Sequence, residues 1–227
     1  MFIAEKDLIQ AFMNVAANFL RLNVGKSISP YFLVEEFDSQ CGVVDIVMGT
    51  YSRLDQKELS RKSISGNWAR PISNFTEDQE IEMNGFMQTF GISKTTARTR
   101  FKEYSEAGFI KKVSNGQYKV VKEYKIVTET VISIEAKLRN WKRALQQATR
   151  YKRFSNNSYV LLDEKHIGPA LKSINIFKER NIGLISMGTE EYTIHYKPKA
   201  IKVPQTHSFY RLNEAAIDYF KEQLAYV

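Results

Sequence analysis

Strand-like and helix-like runs alternate at both ends of this 227-residue chain, and a stretch of different character, roughly residues 55–124, interrupts them. Alternation of that kind calls for a sheet with helices packed on it, so the outer segments read as one α/β fold. Leu8, Phe12, Val15, Phe19 and Leu22 recur at steps of four and three, the stripe of an amphipathic helix over residues 4–23, closed by Asn23, Gly25 and Pro30. Tyr31–Phe37 and Val43–Met48, joined by Asp38-Ser39-Gln40-Cys41-Gly42, form a β-hairpin pattern. After the interruption come a strand over 125–138, a helix over 141–154, a strand over 159–162, a helix over 168–180, a strand over 183–187, a hairpin region and a closing helix over 212–224. The domain reading is therefore 1–54 and 125–227 as two parts of one core, with 55–124 as linker and insert; Ser52–Ile72, polar and broken by Gly66 and Pro71, is the linker.

Composition narrows the functions. Hydrophobic residues at 43% and charged residues at 26% are ordinary for a globular protein. A net charge of +8 and a pI near 9.4 favour a polyanionic partner, although a solvated basic surface has the same balance. Cys41 is the one cysteine and His166, His195 and His207 the three histidines, which excludes an internal disulfide and a Cys/His zinc site. With no signal-peptide pattern and no apolar run near the roughly 18 residues of a membrane span, a cytoplasmic protein with no membrane partner is expected.

Within the insert, Ser93 stands where a helix cap would, and the following run places Ala97, Phe101 and Tyr104 on one face with Thr95, Arg98, Thr99 and Lys102 on the other. Residues 91–125 carry nine basic side chains against three acidic ones, a local excess of +6. One or two acidic helical turns precede the Gly91-Ile92-Ser93 break, and Gly108 leads into a hairpin around Asn115-Gly116. Residues 90–110 and 111–120 resemble the turn, recognition helix and wing of a winged helix-turn-helix domain. That resemblance implies double-stranded DNA as partner, held through Lys94, Thr95, Arg98, Thr99, Lys102, Lys111, Lys112 and Lys119. A plain solvated helix and a dimerisation module are the other readings of the same pattern.

The run Val131–Lys137 alternates, so Glu135 and Lys137 project to one side while Ile132, Ile134 and Ala136 face the other. Asp45 lies within Val43–Val47, where a carboxylate needs a compensating partner. Carboxylate pairs are hard oxygen ligands suited to Mg²⁺. Three pieces occur in order: Gly42-Val43-Val44-Asp45 on a hairpin strand, Glu135-Ala136-Lys137 on the next core strand, and Gln147-Ala148-Thr149-Arg150-Tyr151 on a helix. Together they resemble the PD-(D/E)xK nuclease superfamily, the last piece being similar to the Gln and Tyr motif of its RecB-type subgroup.

The resemblance covers about residues 1–50 and 125–190 and implies a restriction-endonuclease-like core, a central mixed sheet flanked by helices. It further implies metal-dependent hydrolysis of DNA to a 5′-phosphate and a 3′-hydroxyl, with Mg²⁺ as cofactor and Mn²⁺ substituting. Asp45, Glu135 and Ala136 would form the metal set, Lys137 would assist the attack, and Gln147 and Tyr151 would support the site. Such proteins add an acid from the first helix or strand, for which Glu5, Glu35 and Glu36 are candidates. Two departures stand out: Val44 replaces the usual proline before the first aspartate, and 90 residues separate Asp45 from Glu135, a length that an inserted domain explains. Recognition and cleavage in one chain imply a restriction, defence or mobile-element endonuclease, and cutting both strands with one site per chain implies a homodimer. The alternative is a DNA-binding regulator on a non-catalytic scaffold.

Val24-Gly25-Lys26-Ser27 is superficially a phosphate-binding loop, but Leu20 stands where the required glycine would be. Trp141, Leu145 and Ala148 read as core. On the same helix Lys142, Arg143, Arg150, Lys152 and Arg153 read equally well as a solvated face or as a DNA track.

Overall fold

The computed structural model describes residues 2–24, 30–51 and 56–225; Gly25, Lys26 and Ser27 of the rejected phosphate-loop pattern, and the start of the expected linker at Ser52, lie outside them. In chain order the elements are α1 (Glu5–Val24), β1 (Tyr31–Asp38), β2 (Val43–Tyr51), α2 (Gln56–Ser60), α3 (Gly66–Ile72), β3 (Glu80–Glu82), α4 (Met83–Phe90), α5 (Lys94–Glu106), β4 (Ile110–Ser114) and β5 (Gln117–Val120). They continue with β6 (Thr128–Lys137), α6 (Trp141–Tyr151), β7 (Asn157–Asp163), α7 (Gly168–Lys172), α8 (Ile174–Arg180), β8 (Gly183–Met187), β9 (Tyr192–Tyr196) and α9 (His207–Ala225). The chain divides into two units: Met1–Arg53 with Thr128–Phe209, and Leu54–Val127 with Tyr210–Val227.

The first unit is built on a six-stranded mixed sheet in the order β1-β2-β6-β7-β8-β9. Its β6-β7 and β7-β8 pairs are parallel and the others antiparallel. Helix α1 covers one face, burying Leu8, Phe12, Ala16, Phe19 and Leu20 against Ile46, Met48, Ile132, Ile134, Leu161 and Ile185. Leu22, expected in that stripe, is 59% exposed, because the buried line runs through Ala16 and Leu20 instead. The other face is covered by α6, whose Ala144, Leu145 and Ala148 pack with Val160, Leu162 and Leu184 and with Phe177 of α8. Strand β7 is buried along nearly its whole length, as a parallel strand enclosed on both faces should be. Strand β2 runs three residues beyond the expected Met48, through Gly49, where a Cβ would lie 2.1 Å from the Thr130 carbonyl oxygen, so only glycine lets β6 approach. The helix expected over 168–180 is two helices, broken at Ser173.

The second unit carries the small antiparallel sheet β3-β5-β4 with helices around a core of Ala69, Ile72, Phe86, Ala97, Phe101, Tyr104 and Phe109. The acidic turns expected before Gly91 are not helical: Glu80 and Glu82 lie in β3, and α4 contains no acid. Gly91, with φ of 60°, ends α4 in the left-handed region. Ser93 caps α5 by accepting from the Thr96 N–H at 3.2 Å. The closing helix, expected in the core, belongs to this unit from Tyr210 onward. Its Glu214 accepts two hydrogen bonds from the buried Arg61 guanidinium, at 2.6 and 3.1 Å, and one from the Tyr124 hydroxyl at 2.8 Å. Arg61 Nε also donates to Glu58 at 2.9 Å, and charges this deeply buried need such partners. Among the described residues no helix is long and apolar enough to cross a membrane.

Candidate functional site

Asp45, Glu135 and Lys137 meet because β2 and β6 are antiparallel neighbours with Ile46 opposite Ile134. That register fixes the alternation of both strands at once: Ile46, Ile134 and Ala136 turn to the core under α1, and Asp45 and Glu135 share the opposite parity. The Asp45 carboxylate is further pinned by the Ala136 N–H, which donates to its Oδ2 at 2.7 Å.

One ammonium lies among the oxygens. Lys137 Nζ lies 3.0 Å from Glu135 Oε1, 3.6 Å from Asp45 Oδ2 and 3.1 Å from Glu5 Oε2, and donates to the Ala136 carbonyl at 2.7 Å. Of the three acids expected from the first helix or strand, Glu5, in the first turn of α1, is the one within ion-pair distance of Lys137. Glu35 and Glu36 make no hydrogen bond or ion pair with these residues; both are exposed on β1. Glu36 has φ of 50° and falls between the paired residues Glu35 and Phe37, so the strand is irregular at the point that would have had to aim it.

From α6, Tyr151 reaches the same place, its hydroxyl 2.5 Å from Glu135 Oε2 and 3.1 Å from the Val43 carbonyl. Gln147 lies one turn earlier, and its Oε1 is buried with no hydrogen-bond partner among the described residues.

The electrostatics follow from burial. Desolvation raises the pKa of Asp45 above the ordinary carboxylate value, against the lowering effects of the Ala136 N–H and of Lys137. Desolvation likewise raises Glu135, and the Asp45 charge adds to it, while Tyr151 and Lys137 act the other way. Burial opposes the charge on Lys137, but Glu135 and then Asp45 outweigh it and its pKa is raised. The Tyr151 phenol is pushed well up by burial and by the carboxylate beside it.

Among the described residues no three His, Cys, Asp or Glu side chains converge as a metal-binding group. The donor set here is smaller: two carboxylates and the Ala136 carbonyl, all hard oxygens facing one cation. It fits a Mg²⁺-type ion, which is commonly held by one or two carboxylates and keeps several waters.

In the second unit, Lys94, Thr95, Arg98, Thr99 and Lys102 are exposed on α5, opposite the buried Ala97, Phe101 and Tyr104. Lys111 and Lys112 are exposed on β4, but Lys119 is ion-paired to Asp78 at 2.8 Å and is less free for a partner. Arg100 turns inward to Glu103 at 2.5 Å and over the Trp68 ring.

No family model matches the chain, and no curated protein matches it. A solved protein of unknown function from Silicibacter pomeroyi is similar over 93% of this chain and 84% of that one, at 11% identity and a TM-score of 0.39, a level that carries no argument.

Proposed function

We propose that this chain is a Mg²⁺-dependent DNA endonuclease, with a restriction-endonuclease-like first unit and a winged-helix second unit that binds the duplex. The observation that carries the reading is the Lys137 ammonium within 3.6 Å of carboxylate oxygens from Asp45 and Glu135, residues 90 apart in sequence, beside the Ala136 carbonyl. A surface Glu-x-Lys pair needs no second, half-buried acid beside it, whereas metal-assisted phosphodiester hydrolysis can use this combination.

Asp45, Glu135 and Ala136 would hold the ion, which supplies polarisation of the phosphodiester and a lowered pKa for bound water. Lys137 would orient the attacking water and offset charge developing on the phosphoryl oxygens. Tyr151 holds Glu135 in place by its hydroxyl. Supporting the second unit's role is the order α3-β3-α4-α5-β4-β5, with a capped α5 presenting Arg98 and Lys102 to solvent and a β4-β5 hairpin as the wing.

The test is incubation of purified protein with plasmid and genomic DNA, modified and unmodified, plus Mg²⁺ or Mn²⁺, beside Glu135→Ala. Metal-dependent cutting that the variant lacks supports the proposal. Duplex binding with no cutting under any divalent metal leaves a DNA-binding regulator on a silent scaffold.

A further inference from the structure

We infer that α6 and the turn that follows it carry a second nucleic-acid contact, an arginine track of Arg143 and Arg150 on the helix and Arg153 in the turn, that grips the phosphate backbone of the strand presented to Glu135. The inference rests on the nuclease reading and concerns the first unit alone. Residues 138–162 contain six basic side chains and no acid. Lys142, Arg143 and Arg150 are exposed on the side of α6 away from the buried Ala144, Leu145, Ala148 and Tyr151, and Arg139 and Arg153 are exposed just before and just after the helix.

None of the six basic residues is ion-paired with a carboxylate among the described residues. Lys152 Nζ donates to the Arg180 carbonyl at 3.2 Å, Arg153 Nη1 reaches Cys41 Sγ at 3.7 Å, and Lys142 lies over the Trp141 ring. Other bases do have acids beside them: Lys62, Lys119, Lys122 and Lys137 each have a carboxylate within 3.2 Å. Six like charges close together with no acid among them repel one another, a cost that an anionic ligand would remove.

The placement ties the stripe to the site. A Cβ on Gly42 would lie 3.8 Å from Arg150 Nη2, so this guanidinium stands at the turn leading into the strand of Asp45. The next residue, Tyr151, touches Glu135. At ~1.5 Å per residue Arg143 and Arg150 stand roughly 10 Å apart along α6, the axial rise of about three nucleotides of one strand at ~3.4 Å each, with Arg153 in the turn beyond. Arginine also suits the ligand, because its planar fork pairs with two phosphate oxygens at once.

The experiment measures binding of a short mixed-sequence duplex by full-length protein in EDTA, across a salt series, for wild type, the triple variant Arg143→Ala/Arg150→Ala/Arg153→Ala, and the triple Lys replacement. Anionic phospholipid vesicles serve as a second probe. The track predicts that the slope of log affinity against log salt falls by roughly three in the Ala variant, at ~0.9 per phosphate contact, and is largely restored by Lys. A slope unchanged in the Ala variant overturns the track, as does loss of vesicle binding with duplex binding intact. Because no metal is present, neither result depends on cleavage, and the Glu135→Ala plasmid assay decides the nuclease reading separately.

Discussion

Tyr151 donates its hydroxyl to Glu135 Oε2 at 2.5 Å, so a side chain of α6 and a side chain of β6, 16 residues apart, act as one unit at the floor of the candidate site. Burial and the Asp45 charge both push the Glu135 pKa up, and this hydrogen bond opposes them by favouring the ionised form. Tyr151→Phe removes the opposing contribution and leaves the ring packing intact. The Glu135 pKa therefore rises further, and the acidic limb of the kcat/KM profile for DNA cleavage moves to higher pH, with more activity lost at pH 6 than at pH 8. A carbon-detected NMR titration of the Glu135 carboxyl reads the same shift without turnover, and an unmoved titration would show that the phenol does not hold this carboxylate.

Asp45 gives a prediction with the opposite sign for stability and for activity. Its folded pKa is raised above the unfolded value, so between the two the native state binds more protons, and stability falls as pH rises through that window and stays lower above it. Asp45→Asn removes the half-buried charge while its amide oxygen can still accept from the Ala136 N–H. In metal-free buffer the variant should melt above wild type at pH 7, and the gap should close near pH 3, below the unfolded carboxylate pKa of about 3.9. Cleavage should fall by a factor on the order of 10² or more, the scale on which losing a single charge-stabilising group acts. A lower melting temperature than wild type at pH 7 would mean that the carboxylate stabilises the folded chain and is not strained by it.

What the sequence made legible, and what it hid, has a physical basis in these same elements. Periodicity exposes a face wherever the backbone is regular: it placed Ala97, Phe101 and Tyr104 inside α5, and it put Glu135 and Lys137 on one side of β6. It fails where the backbone departs from the ideal. Glu36, with φ of 50°, sits at an irregularity that no alternation pattern reveals, and Leu22 lost its buried place to Leu20 when the stripe of α1 was carried one turn too far. Contacts between distant segments leave no local trace. Arg61 and Glu214 are 153 residues apart, and nothing near either one announces the other, which is why the closing helix was expected in the wrong unit.

Gly49 tests the close approach of β2 to β6. A methyl group there would lie 2.1 Å from the Thr130 carbonyl oxygen and 2.7 Å from the Phe32 ring, and the first of these is backbone that cannot swing aside. Gly49→Ala should destabilise the protein by about 1–3 kcal/mol, the usual range for overpacking, measured by urea denaturation. Because Gly49 lies four residues along the strand from Asp45, a shifted register would also weaken cleavage. Gly85, where a Cβ meets none of the described residues within 4 Å, is the control, and Gly85→Ala in the interior of α4 should be neutral or stabilising.

The Arg61 cluster makes the last prediction, because its two sides have different costs. The Arg61 and Glu214 side chains are 2% and 3% exposed, and Glu58 shares the same guanidinium. Removing Glu214 leaves a buried cation with one acid and the Tyr124 hydroxyl without its acceptor, so Glu214→Ala should cost about 3–5 kcal/mol. Replacing both partners by apolar residues of similar volume removes the desolvation penalty together with the attraction. Arg61→Met/Glu214→Leu should therefore be less destabilised than Glu214→Ala alone, with Glu58 still held by Lys122 at 2.7 Å. Urea denaturation of the three proteins reads both effects. If the double variant is the least stable, the guanidinium contributes through contacts beyond this ion pair, of which its position 5.2 Å from the Phe109 ring centroid is the first to test by Phe109→Leu.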